Sequence, residues 1–147
     1  MANVFDVAKY ILEKQGPVTT MKLQKLVYFC QAWSLVWDEK PIFNERIEAW
    51  ACGPVVPNLY EIHRGEFKIS DIPKGDSKNL TKIERDTINA VLDEYGDKTA
   101  QWLSDLTHLE RPWNKARGNR PAGGNCQKEI THDSLAEYYG TLSPPII

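Results

Sequence analysis

Residues 20–37, TMKLQKLVYFCQAWSLVW, carry the decision about this chain's fold. Thr20 is placed as an N-cap, and at helical period Leu23, Leu26, Val27, Cys30, Trp33 and Trp37 share one face. Tyr28, Phe29, Ala32, Leu35 and Val36 fill most of the remainder, so the polar strip narrows to Gln24, Gln31, Ser34 and Asp38. A helix that is apolar on most sides belongs inside a domain, with other elements packed around it. The same stretch cannot cross a bilayer. Its apolar run from Leu26 to Trp37 is interrupted by Gln31 and Ser34 and falls well short of the ~18 to 20 residues that a span needs.

Upstream, Val4, Val7, Ala8, Ile11 and Leu12 form one stripe of a surface helix over Ala2–Lys14, which stops before Gly16-Pro17. Downstream of Pro41 the period changes to two, since Phe43, Glu45, Ile47 and Ala49 alternate with Asn44, Arg46, Glu48 and Trp50. This predicts a strand over Glu45–Ala51. Gly53-Pro54 reads as a turn, Pro57 opens a short helix over Asn58–Arg64, and Phe67–Ile69 is a second strand expected to pair with the first. Ser70–Asn79 reads as a surface loop. Thr81-Lys82-Ile83-Glu84 is a capping box that starts a helix to Tyr95. The next helix, Thr99–Glu110, should bury Trp102, Leu103, Leu106 and Leu109 before Pro112 stops it. Arg111–Arg120 is a basic loop, Pro121–Asn125 a glycine-rich one, Lys128–Ile130 a last strand, and Thr131 caps a helix through Tyr139. The expected architecture is α+β, mainly α: a central buried helix surrounded by amphipathic helices, with a small antiparallel β-sheet. Residues 1–140 form the single domain and 141–147 a loose tail.

The length of 147 residues suits one domain, and at this mass roughly two-thirds of the unfolded surface is buried, a sufficient core without staples. With 41% hydrophobic and 26% charged residues the chain is neither fibrous nor disordered. The N-terminal residues lack the basic region of a secretory signal, and the 3 cysteines, Cys30, Cys52 and Cys126, form no C-x-x-C pair. Reduced thiols in the cytoplasm are the expectation. No His or Cys pair has zinc-ligand spacing, and no phosphate-binding glycine loop or nucleophile elbow occurs, so no metal, cofactor or catalytic group is expected. His63 or His108 as a base would need a substrate that no residue suggests. A net charge of -2 argues against a nucleic-acid partner, leaving Arg111, Lys115, Arg117 and Arg120 with Trp113 as the one local basic segment. The unusual feature is 5 Trp. Trp33 and Trp102 sit on helix faces and read as core. Trp50 and Trp113 lie beside turns and read as anchors for a protein partner.

Three blocks then stand in order: Lys22-Leu23-Gln24-Lys25-Leu26-Val27-Tyr28-Phe29; Trp50-Ala51-Cys52-Gly53-Pro54-Val55-Val56-Pro57 with Tyr60; and Thr107-His108 followed by Pro112-Trp113. This set resembles the SocA-like antitoxin domain, or Panacea domain, of bacteria and phages, which includes the phage-associated GepA proteins. The likeness runs from about Val4 to Tyr139. It implies an antitoxin that neutralises a cognate protein toxin, usually encoded beside it, by direct protein–protein binding, and no enzymatic activity. Many members carry an accessory DNA-binding domain for which these residues leave no room, so operator binding is not expected. Tyr28, Gly53, Pro54, His63, Thr107, His108, Pro112 and Trp113 occupy the family's motif positions, and with Trp50 and Val55 they are the candidate partner-binding residues. Read by their chemistry alone, Gly53-Pro54 is a fixed turn, and His108 bonds Thr107 or a backbone group to anchor a helix end. A protease adaptor and an RNA-binding regulator working through residues 111–120 are the alternative functions. Homo-oligomerisation is left open.

Overall fold

Side-chain caps punctuate the chain. A computed structural model describes residues 2–121 and 123–142. In these the elements run α1 (Val4–Gln15), β1 (Val18–Thr19), α2 (Thr20–Trp37), β2 (Ile47–Trp50), β3 (Gly53–Val55), α3 (Pro57–His63) and β4 (Lys68–Ile69). A 3-10 turn at Ser77–Asn79 leads to α4 (Lys82–Tyr95), α5 (Ala100–Leu109), α6 (Arg111–Arg117), β5 (Glu129–Ile130) and α7 (His132–Gly140). Asn3 with Asp6, and Thr81 with Glu84, form reciprocal capping boxes that satisfy the first free N–H groups of α1 and α4. Thr19, Thr99 and Thr131 cap α2, α5 and α7 through their hydroxyls. The cap of α2 therefore lies one residue before the expected Thr20.

Every residue of α2 from Leu23 to Ser34 is buried, as a helix apolar on most sides requires. The helices α1, α3, α4, α5 and α7 and the strands β1 and β3 all pack on it. Phe29 stacks on Tyr95 with ring centres 4.1 Å apart, Trp33 donates its indole N–H to the Tyr95 hydroxyl at 3.1 Å, and Tyr139 meets Phe29 and Trp33 edge-on. Two buried glutamines on one face of α2 treat neighbouring extended chain as a sheet would. Gln31 accepts from Ile42 N–H at 2.9 Å and donates to Phe43 O at 2.7 Å, and Gln24, two turns earlier, does the same for Val56.

The strands form two small antiparallel sheets, β3-β2-β5 and β1-β4. In the first, Ala49 lies opposite Pro54 and Ile47 opposite Ile130, so the expected last strand joins β2 on the edge away from β3. Along β2 the burial of Ile47 and Ala49 alternates with half-exposed Glu48 and Trp50, the predicted period of two. Four expectations are corrected. Phe67–Ile69 does not pair with β2: β4 pairs with β1, because Thr20 at the start of α2 donates its N–H to Phe67 O and draws that segment to the helix terminus. Gly53-Pro54 is not the turn but the start of β3, and the chain reverses at Ala51–Cys52. Residues 111–117 are helix rather than loop, with Pro112 in the first turn, where its missing N–H has no partner to lose. On α5, Leu103 is buried and Leu106 half-buried, but Trp102 and Leu109 are 46% and 83% exposed, since Ser104 and Thr107 turn inward instead. Of the expected tail, Thr141 caps α7 at its C-terminal end, and 143–147 lie outside the described residues.

Candidate functional site

A short hairpin presents carbonyls along its edge and its turn, and a buried carbonyl needs a donor. In β2 and the following turn four successive carbonyls are met by side chains of α5 and α6. Arg117 Nη1 donates to Ala49 O at 2.9 Å, Trp113 Nε1 to Trp50 O at 2.8 Å, His108 Nε2 to Ala51 O at 3.0 Å, and Ser104 Oγ to Cys52 O at 2.7 Å. Since a carbonyl only accepts, the Ala51 bond assigns the proton of His108 to Nε2. The donors brace one another: His108 lies edge-on to Trp113 at 4.3 Å, and the Arg117 guanidinium sits 4.7 Å over the Trp113 ring while its Nη2 donates to Pro121 O and Gly124 O. Thr107, fully buried, donates to Ser104 O within α5.

The other side of the hairpin rests on α2. Gln24 accepts from Val56 N–H at 2.8 Å, and its amide nitrogen lies 3.3 Å from Val56 O and 3.0 Å from His63 Nε2, which accepts from it. Next to it the fully buried Lys25 donates from Nζ to Pro54 O at 3.2 Å. Among the described residues no carboxylate pairs with Lys25. Burial lowers its pKa to about 8, with the Cys52 thiol acting in the opposite direction. Burial likewise holds the His63 imidazole below its ordinary value and favours its neutral form. Gly53 is required at this crossing. Its φ is +118°, and a Cβ there would stand 2.6 Å from Lys25 Cε and 3.1 Å from Thr107 Oγ1.

Nine of the ten candidate residues thus gather on or beside the hairpin: Trp50, Gly53, Pro54, Val55, His63, Thr107, His108, Pro112 and Trp113. Tyr28 does not. It is 1% exposed in the core, where its hydroxyl meets that of Tyr139 at 3.1 Å, and Tyr139 donates to Glu110 at 2.5 Å. Burial pushes the Glu110 carboxyl up to about 7, against the opposing hydrogen bond from Tyr139. Trp113, expected as an exposed anchor, is 4% exposed, because its indole N–H is drawn inward by Trp50 O. Trp50 itself is half-buried, with Tyr60 edge-on at 4.9 Å and its indole N–H on Glu48. Sequence reasoning missed Gln24 and Lys25 as site residues, although both stand inside the quoted motif. Lys25 precedes Tyr28 and Phe29 by three and four positions, the spacing of one buried face. It also missed Ser104 and Arg117, which lie one helical turn before His108 and one after Trp113.

Between α2, the hairpin and α3 opens a cleft of about 170 Å³, whose wall includes Met21, Lys25, Trp50, Cys52, Tyr60 and His63. A wider depression of about 410 Å³ lies on the other side of the turn, between Cys52 and Cys126. Among the described residues no group of three or more His, Cys, Asp or Glu is placed to hold a metal ion, and no helix is long and apolar enough to cross a membrane.

The model of one protein family, described as antitoxin SocA-like, Panacea domain, matches residues 23–114. That interval opens in α2 at the residue before Gln24 and closes in α6 at the residue after Trp113, so it encloses all the side chains that hold the hairpin except Arg117. The chain belongs to the SocA-like Panacea family. Antitoxin SocA of Caulobacter vibrioides (strain NA1000 / CB15N) is 40% identical to it over 58 residues, 37% of this chain and 31% of that protein. The match therefore takes in less than a third of that relative's length. No solved structure matches the chain. Within the Panacea interval lie Gln24, Lys25, Ser104 and Glu110, while Arg117 and Tyr139 fall beyond it.

Proposed function

We propose that this protein is a non-catalytic antitoxin that neutralises a cognate toxin, encoded beside it, by direct binding through the outward side of the β2–β3 hairpin and α3. The observation that carries this reading is the double clamp on the hairpin backbone: four carbonyls taken by α5 and α6, and Pro54 and Val56 held by α2. A surface so fixed needs little ordering when it binds, which lowers the entropic cost of association. Its tip presents the aromatic pair Trp50 and Tyr60 and the exposed Cys52. Exposed apolar side chains flank it at the start of α2, with Met21 at 39% and Phe67 at 80%. Aromatic anchors within a rigid frame are the usual carriers of binding energy at protein interfaces. Family membership and the relative's name supply the class of partner. The mechanism is occlusion of the toxin's working surface or capture of an incompletely folded toxin.

The test is growth of a bacterial host that expresses the neighbouring open reading frame alone or together with this protein. Toxicity alone and growth in the pair are expected. Trp50→Ala should keep the wild-type melting temperature and lose the protection. A neighbour that is harmless alone, or a Trp50→Ala variant that protects fully, overturns the reading. Nucleic-acid binding through residues 111–120 is weakened as a rival by the inward turn of Arg117 and the burial of Trp113, which leave Arg111, Lys115 and Arg120 outward.

A further inference from the structure

We propose that the cleft beside Lys25 is the receptor for one acidic side chain of the bound toxin, with an apolar residue next to it. The inference rests on the antitoxin reading and names the chemistry of the partner at that site. At about 170 Å³ the cleft is below the roughly 300 to 1,000 Å³ of small-molecule sites, which suits the anchoring of a single side chain. Met21, Val55, Trp50 and Tyr60 supply apolar wall. Among the described residues that line the cleft, Lys25 is the one cationic side chain, since burial favours the neutral form of His63 and none of them is Asp or Glu. Of the acids on the flanking elements, Glu48 holds the Trp50 indole and Arg46, Glu61 pairs with Arg64, and Glu66 acts on His63 rather than on Lys25.

The ammonium is closed off from bulk water and has three N–H donors against one acceptor, Pro54 O. Lys25 lines the cleft, and a cation in so water-poor a place attracts an anion with little screening, so that an arriving carboxylate restores the charge balance that burial removed. A side-chain carboxylate is favoured over a chain terminus. Termini are held by nests of backbone N–H groups, and the Val56 N–H beside the cleft is already given to Gln24.

Three short peptides decide it by NMR titration of the Trp50, Tyr60 and Met21 signals: acetyl-Leu-Glu-Leu-amide, acetyl-Leu-Gln-Leu-amide, and acetyl-Leu-Gln-Leu with a free carboxyl end. The first should bind the wild-type protein at least tenfold tighter than the second, and the difference should vanish in Lys25→Met, which keeps the stem and removes the charge. Equal binding of the two blocked peptides to wild type overturns the proposal without any variant being needed. Tightest binding by the third peptide overturns the side-chain assignment in favour of a chain terminus. In the growth assay Lys25→Met should lose protection at unchanged expression. Wild-type protection with full Lys25→Met protection refutes the cleft alone, whereas loss of protection by the wild-type protein refutes the antitoxin reading and leaves the peptide result standing.

Discussion

Replacing Glu110 by Gln should make the protein more stable at pH 8 and nearly indifferent at pH 5. Glu110 lies at the α5–α6 junction, 6% exposed, with the Tyr139 hydroxyl on its carboxyl. Burial raises its pKa from 4.5 to about 7. Below about 4.5 both folded and unfolded chains hold the proton, and above about 7 both have lost it. Between these limits the folded chain keeps a proton that the unfolded chain has released, so stability falls as pH rises through the window. The shift corresponds to at most about 3 kcal/mol lost by pH 8. Gln keeps the shape and can still accept from Tyr139, but it never ionises. Urea unfolding followed by tryptophan fluorescence at pH 5, 6, 7 and 8 gives both profiles. His63, whose buried neutral form disfavours folding as pH falls below its ordinary range, acts equally in both proteins and cancels in the difference. The stability difference between Glu110→Gln and wild type should grow by about 2 to 3 kcal/mol across this range. Parallel profiles, or a Gln variant that is weaker at pH 8, would refute the assignment of a buried carboxyl that burial keeps protonated.

Arg117→Met should cost about 3 to 5 kcal/mol in urea unfolding, because it strips donors from Ala49 O, Pro121 O and Gly124 O. Arg120→Ala, at an exposed position, should stay within about 0.5 kcal/mol. Gly53→Ala should cost about 2 to 4 kcal/mol in a melting experiment, since it combines a φ of +118° with a Cβ 2.6 Å from Lys25 Cε. A loss below about 1 kcal/mol would show that Lys25 gives way easily.

Features that rest on neighbours in the chain were readable without coordinates. The Thr81–Glu84 box opens α4 because both of its bonds close within four residues. The central place of α2 followed from its narrow polar strip, and the period of two in β2 from its alternating side chains. The α5 face was misread because counting apolar residues favoured Trp102 and Leu109, whereas hydrogen bonds to a distant hairpin turned Ser104 and His108 toward it, with Thr107 buried between them. The pairing of β1 with β4 was invisible, since two-residue strands carry no period and their register comes from the cap of α2. Trp113 looked like an anchor because nothing local reveals that its N–H would find Trp50 O across 63 residues.

Local chemistry in the chain was therefore enough to define most of the helices, the capping box of α4, the core helix and the motif positions, because each depends on spacings of a few residues, whereas α6 was read as a loop and the α2 cap was placed one residue late. The roles of those motif residues were decided by the tertiary structure. His108 and Trp113 hold carbonyls of the hairpin, Thr107 packs against Gly53, and Lys25 is a buried cation beside a cleft. Long-range packing chooses which polar atoms meet, and a buried carbonyl or ammonium takes whatever partner the fold brings within about 3 Å.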